Sequence, residues 1–484
     1  MRVFVFGIGG TGARVLRSLT MILAAGAKLN PNVEIIPIII DVDLSNADTA
    51  RTVTALELYK KIRAKAYRDE PNERKEFFGP KLSTLGGQAV QNGQEQTRVK
   101  DSFLMTFKGI NTTFERYLKV NEMDKDNEEF LNLLYDNSDD PNHTELKLEL
   151  SKGFKGNPNI GSVIFNDLEN TDEYRYFEQA FNDSNDRIFI ISSIFGGTGS
   201  SGFPQLIKLL QKSRNNNLRN AKKGAVVVMP YFAVKKDEKS AIDSLRFNSK
   251  TKAALSYYEE AIDLDAFYYL SDKAKEPYEN KEGGEDQKNN AHMVELLAAM
   301  GIVHFSNTGS FGNEKYHEFG VQREDDKLEF AHFYDDSRTK VLNPMVRLSY
   351  ATKLLMDFIP TQTNEAFAKG LSLASQLTGN DFYMQMNAFF KDHYQQWLNE
   401  LAANKRGGYF FEFEKDFNTF FRGKKIETGF FKKGISEKFL IQHLNKTQDD
   451  LSKKIPTNEE RFMQMLIAVS DECIKELGDI PSTL

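Results

Sequence analysis

Two glycine-rich segments constrain this chain more than anything else in it. Gly7-Ile8-Gly9-Gly10-Thr11-Gly12 follows the apolar run Val3–Phe6, and Phe195-Gly196-Gly197-Thr198-Gly199-Ser200-Ser201-Gly202 follows the apolar run Ile188–Ile194. Behind each comes a stretch with helical spacing. The first carries Val15, Leu16, Leu19, Ile22 and Leu23; the second carries Leu206, Ile207, Leu209 and Leu210, with Pro204 near its start. A strand that passes through glycines into a helix makes an anion cradle. Glycine lets backbone approach closely, several N–H groups converge, and the helix N-terminus adds partial positive charge. One such turn is also an ordinary strand–helix connection. Two of them in one α/β region point to a nucleotide held between them.

The pattern around the loops predicts the fold. Val33–Ile40 is a further β-branched run ending in Asp41 and Asp43, and Pro37 within it predicts an edge or a bulge. Ala225–Met229 and Ala266–Leu270 read as strands. Ser240–Ala261 and Asn290–Met300 read as helices, the latter running into Ile302–Phe305. Strands alternating with helices predict an α/β fold with a Rossmann-like, mostly parallel sheet flanked by helices. Residues 55–185 are polar and show few clear elements, and from about 345 onward the chain reads mainly as helices. The expected domains are a nucleotide-binding domain over 1–305 and a mainly helical C-terminal domain over 306–484. The aromatic stretch at 409–421 (YFFEFEKDFNTFF) reads as core packing, with partner docking as the alternative.

Composition removes several function classes. Lys and Arg total 63 against 69 Asp and Glu, a net charge of −6, which argues against a predominantly electrostatic nucleic-acid binder. The basic stretch Lys212–Lys223 reads as a solvated helix end. Cys473 is the single cysteine, so intramolecular disulfides and multi-cysteine zinc sites are excluded. The seven histidines show no metal-ligand spacing. No apolar run approaches 18 residues, so no membrane span is expected. With no basic leader or small-residue cleavage site ahead of Val3, a cytoplasmic protein is expected.

Gly196-Gly197-Thr198-Gly199-Ser200 resembles the phosphate-wrapping signature of the tubulin/FtsZ superfamily, and Gly7–Gly12 is similar to that family's N-terminal loop. The likeness is to divergent bacterial tubulin-like proteins and spans roughly residues 1–305. It implies binding of GTP or GDP with Mg²⁺, with the nucleotide acting as a switch or as glue between subunits. Self-association or a protein partner is implied with it, and slow GTP hydrolysis is the implied activity. The implied phosphate-binding residues are Gly9, Gly10, Thr11 and Gly12 from the first loop and Gly196, Gly197, Thr198, Gly199 and Ser200 from the second. Thr11, Thr198 and Ser200 would add hydroxyl donors. Asp41 and Asp43 would approach the metal, and Asn290, with Asn248 as a second candidate, would read the base or ribose. An amide suits that task because it both donates and accepts. Gly86-Gly87 and Gly93 fall where a loop near the γ-phosphate is expected, and Pro230-Tyr231-Phe232 where the chain approaches the ribose. Gly199→Ala is expected to place a methyl group against phosphate.

The chain departs from the family pattern in several ways. About 185 residues separate the two loops, more than in compact family members, which implies an insertion within about residues 100–185. Phe195 stands for the first glycine of the signature, and Ser200-Ser201-Gly202 carries an extra residue. After the expected central helix, Gly301-Ile302-Val303-His304-Phe305-Ser306-Asn307-Thr308-Gly309 contains no carboxylate to polarise an attacking water; the nearest acids are Glu314, Glu318 and Glu324-Asp325-Asp326. A second reading stays open. The first loop followed by Asp41, Asp43, Asn46 and Arg51 also resembles ATP-using adenylating enzymes of the ubiquitin-activating-like class. Asp41 lies 29 residues after Gly12, longer than the roughly 20 of a dinucleotide motif. A non-hydrolysing nucleotide-binding scaffold is the third possibility.

Overall fold

A computed structural model describes residues 1–67, 76–89, 99–135, 145–231, 233–234, 247–272, 277–278, 284–285, 287–312, 316–317, 328–362, 379–404, 410–422 and 434–478. The strands are β1 (Arg2–Ile8), β2 (Glu34–Ile40), β3 (Lys81–Leu82), β4 (Leu104–Met105), β5 (Arg187–Ser193), β6 (Lys222–Val228), β7 (Ala233–Val234), β8 (Ala266–Leu270), β9 (Pro277–Tyr278) and β10 (Tyr316–His317). The main sheet runs β10-β8-β6-β5-β1-β2-β3, with β4 also on β2, and its pairings are parallel. β7 and β9 form a separate two-stranded sheet.

The strands form where the sequence carries β-branched and aromatic runs. The last six residues of each of β1, β2, β5 and β6 are buried, as strands covered on both faces must be. Pro37 lies inside β2 opposite Val5 of β1 and makes no bulge. Its outer neighbours explain why: β3 pairs only with Glu34 and Ile35, and β4 only with Ile39 and Ile40. The N–H that proline lacks would point into the gap between them, on the side where the Ile39 N–H donates to Phe103.

Helices cover both faces. They are α1 (Gly9–Ala24), α2 (Ala47–Ala66), α3 (Phe114–Tyr117), α4 (Lys125–Leu134), α5 (Pro158–Phe165), α6 (Asp172–Ala180), α7 (Gly197–Lys212), α8 (Asn216–Asn220), α9 (Phe247–Ala261) and α10 (Met293–Asn307). Phe4 and Phe6 of β1 pack on Phe177 of α6, with ring centroids 5.2 and 5.1 Å apart. On the other face, a Cβ at Gly7 would meet Leu16 of α1, and Phe189 of β5 packs on Phe305 of α10. The helical segment after β4 lays α5 along α7, where Gly161 abuts Ser201.

From 335 onward the described chain is mainly helical. One uninterrupted helical run covers 335–362 and another 381–403. This region forms a further layer over α1 and α2: Trp397 Nε1 donates to Ser18 of α1 at 3.1 Å, and Phe389 packs on Phe78. The aromatic stretch is core, with Phe410, Phe411, Phe413, Phe420 and Phe421 all buried; Tyr409 lies outside the described residues. The sheet continues past residue 305, because β10 pairs with β8. No helix among the described residues is long and apolar enough to cross a membrane.

Candidate functional site

The two glycine loops leave adjacent parallel strands, β1 and β5, at their C-terminal ends. To one side of β1 the chain goes on to β2; to the other side of β5 it goes on to β6 and β8. The strand order therefore reverses between them. In open α/β sheets ligands bind at such a switch point, outside the carboxyl ends of the strands. The loops touch there. Gly9 sits at φ +68°, and a Cβ on it would lie 3.1 Å from Thr198 Cβ and 3.6 Å from Gly199 N. The N-termini of α1 and α7, where four N–H groups per helix lack intrahelical acceptors, thus meet at one place.

The glycines differ in what they do. A Cβ at Gly12 would stand 2.4 Å from the Gly7 carbonyl carbon, and one at Gly199 2.7 Å from the Ser193 carbonyl oxygen. Both glycines let a helix lie tightly on its strand. Gly199→Ala therefore strikes the backbone of β5, which corrects the expectation that its methyl group would meet phosphate. Gly197 abuts the chain just before α5, where a Cβ would lie 3.0 Å from both Phe154 Cβ and Gly156 N. Gly10 is roomier: its nearest atoms are Asn46 Nδ2 at 3.5 Å and Arg14 Nη1 at 3.9 Å. Gly196 caps α7 in extended conformation.

The hydroxyls divide likewise. Ser200 donates to the Gly196 carbonyl at 2.5 Å, so its proton is already committed. Thr11 Oγ1 accepts a long bond from Arg14 at 3.4 Å, which leaves its own proton to donate. Thr198 is half-buried against Gly9.

Asp41 and Asp43 follow β2 on the same edge of the sheet, both 3% exposed. Asp43 accepts from Ser45 N at 3.1 Å, Ser45 Oγ at 2.6 Å and Gly284 N at 2.7 Å. Asp41 accepts from Asp43 N at 3.2 Å and more weakly from Thr49 Oγ1 at 3.4 Å. Burial, with the neighbouring Asp43 charge, pushes the Asp41 carboxyl up to about 7. Two oxygen-rich carboxylates suit a hard divalent cation completed by phosphate oxygens and water. The described residues hold no group of three or more His, Cys, Asp or Glu that would bind a metal by themselves.

The raised Asp41 value has a definite sign. The folded state holds the proton more tightly than the unfolded chain, so stability is greatest below the unfolded value of 3.8 and is lost as pH rises through 7. Asp41→Asn keeps the shape and removes the buried charge. The ligand-free variant should therefore be more stable than wild type, by about 4 kcal/mol at pH 8 and about 1 kcal/mol at pH 4.5. Urea denaturation at the two pH values measures the difference.

Sequence reasoning missed a buried ionic network behind the first loop. Arg14 of α1 donates to Glu295 at 2.7 Å, Asp48 at 3.1 Å and the Tyr231 hydroxyl at 2.5 Å. Tyr231 donates in turn to Glu295 at 3.0 Å. Arg51 donates to Asp48 at 2.6 Å, the Asn289 carbonyl at 2.6 Å and Glu400 at 2.8 Å. Asn46 caps α2 through the N–H groups of Asp48 and Thr49 and donates to Gln287 at 2.5 Å. Asp48 is held below the usual carboxylate range because Arg14 and Arg51 outweigh its burial, whereas burial holds Glu295 above it.

The remaining candidates are spread more widely. Asn290 is exposed and precedes α10, whose N-cap is His292 in a capping box with Glu295. The helix that the sequence pattern equates with a long central helix has 15 residues, shorter than the 335–362 run. Asn248 lies in the first turn of α9; its side chain falls outside the described residues. Gly86-Gly87 do not lie near the cradle. The Gly86 and Gln88 carbonyls accept from Tyr176, and Gln88 accepts from Arg2, at the opposite end of β1. The chain that reaches the loop end of β2 is β4, so Leu104–Met105 stands there in place of Gly86-Gly87. Gly93, Phe232, Glu314, Glu318 and Glu324–Asp326 lie outside the described residues.

Residues 162–368 match a family model described as tubulin-like. That segment is tubulin-like. The matched segment takes in β5, the second glycine loop, α7, β6, β8 and α10 and ends just past the 335–362 run. It accounts for the second loop, which the adenylating reading leaves unexplained. Arg51, which that reading needs, is spent on Asp48, Asn289 and Glu400 of the chain itself. No curated protein matches the chain.

Proposed function

We propose that this tubulin-like chain binds a guanine nucleoside triphosphate with Mg²⁺ in the crevice between residues 9–12 and 196–200, as a switch or as glue between subunits. The observation that carries the reading is the contact of Gly9 with Thr198 at the point where the strand order reverses. Two helix N-termini converge there, and converging N–H groups favour a phosphate chain over a neutral ligand. Gly9, Gly10, Gly196 and Gly197 would offer backbone donors, with Thr11 adding a hydroxyl. Gly12 and Gly199 would hold the two helices close enough to do so. Asp41 and Asp43 would hold Mg²⁺, and Asn290 or Asn248 would meet the base. The metal would supply charge neutralisation for the phosphates. Residues 301–312 carry no carboxylate, so turnover by one subunit alone would be slow. Self-association or a protein partner follows from the same reading.

Denaturing the purified protein and identifying released nucleotide by chromatography tests this, together with equilibrium binding of Mg-GTP and Mg-ATP. Bound guanine nucleotide and tighter binding of GTP than ATP are expected. Preference for ATP with pyrophosphate release would instead favour the adenylating reading. No affinity for either would overturn nucleotide binding altogether.

A further inference from the structure

We infer that Glu400 and Asn404, in the C-terminal helical region, are positioning residues that set Asn290 for the nucleotide base; this rests on the nucleotide reading above. The strap 289–292 enters α10 and is held at every residue except one. The backbone N–H and Nδ2 of Asn289 donate to Asp48 at 3.1 and 2.8 Å, and its carbonyl accepts from Arg51 at 2.6 Å. The Ala291 N–H donates to Glu400 at 2.9 Å, and the Ala291 carbonyl accepts from Asn404 Nδ2. The His292 N–H donates to Glu295 at 3.1 Å. Asn290, between them, is exposed and makes no hydrogen bond among the described residues.

Glu400 and Asn404 stand one helical turn apart on the end of the 381–403 run and grip both polar groups of one buried residue, Ala291, which is 1% exposed. The same Glu400 carboxylate accepts from Arg17 of α1 at 2.7 Å and Arg51 of α2 at 2.8 Å. One carboxylate therefore fixes the strap relative to the two helices that follow the first glycine loop and the Asp41–Asp43 turn. A clamped backbone under one free amide side chain lowers the cost of binding, because the backbone is already ordered and only that side chain's own rotamers remain to be fixed. Apart from the local His292–Glu295 bond, this rigidity comes from distant segments: Asp48 and Arg51 of α2 on one side and, more than 100 positions later, Glu400 and Asn404 on the other.

The test uses the full chain and two probes: GTP, which has a base, and inorganic tripolyphosphate, which has none, each with Mg²⁺. Asn404→Ala should weaken GTP at least tenfold, leave tripolyphosphate unchanged within twofold, and lower the GTP-to-ATP preference. Asn290→Ala should do the same, and the double variant should lose no more than either single one. Glu400→Gln, which keeps the shape but takes the carboxylate from Arg17 and one of the two from Arg51, should lower stability as well. If Asn404→Ala fails to fold, Asn404→Asp removes the donor at the same size and serves instead. Equal loss for both probes, or full additivity in the double variant, would show a merely structural role and overturn the inference. Unchanged GTP binding in the variants would overturn it while leaving the nucleotide reading intact. Failure of the wild type to bind either probe would overturn both.

Discussion

Gly12→Ala is expected to cost about 3 kcal/mol of stability or more, whereas Gly10→Ala, two residues away in the same helix, is expected to cost nothing or to stabilise by about 0.5 kcal/mol. The difference lies in what each new methyl group meets. At Gly12 it would stand 2.4 Å from the carbonyl carbon and 2.7 Å from the Cα of Gly7. Both are backbone atoms of a central strand paired on both sides, so no flexible side chain can yield. Relief would require α1 to lift from β1, and 15 of its 16 residues are buried. At Gly10 the nearest atoms are 3.5 and 3.9 Å away, ordinary contact distances, and alanine is the better helix former. Urea midpoints of the two variants measure the contrast. A Gly12→Ala protein as stable as wild type would mean that α1 does not sit on β1 as described.

Arg14→Met is expected to destabilise the chain by about 3–5 kcal/mol, because it removes the one cation shared by Glu295 and Asp48 and leaves both buried. Asp48 and Glu295 are each about 1% exposed or less, so water cannot replace the lost guanidinium. Glu295 is already held above the usual carboxylate range by burial, with Arg14 the chief counterweight, and would rise further without it. The variant should therefore regain part of its stability in acid, where Glu295 is protonated, and lose most above neutrality. Arg14→Met with Glu295→Gln should recover much of the loss, since the double change removes charge from both sides. Urea denaturation across pH decides this. Equal losses for the single and double variants would show that the pair is not coupled.

The parts of the fold that were legible from sequence are those written in local patterns. β1, β2, β5, β6 and β8 form where β-branched and aromatic residues run together, and α1 and α7 start at the glycines that announce them. Gly12 and Gly199 were recognised as required glycines, but not for the packing reason, because a glycine in sequence does not say which neighbour it spares. Pro37 by itself predicts an edge or a bulge, and only the pairing shows that its missing donor faces a gap between β3 and β4. Gly86-Gly87 approach the γ-phosphate only by the resemblance, and their contacts with Tyr176 put them at the other end of the sheet. Arg14, Asp48, Glu295 and Glu400 went unread because they meet only through the tertiary fold, on four different helices. Arg51 stood out as a motif residue, yet its carboxylate partners were not foreseeable. Asp41 and Asp43 were legible as a pair, whereas the deep burial that raises Asp41 was not.

Amide hydrogen exchange with and without Mg-GTP tests most directly whether one triphosphate lies between the two loops. Slowing at residues 9–12 and at 196–200 together, at the same nucleotide concentration, is the expected result. Protection of one loop without the other, or GTP binding with neither loop slowed, would contradict it.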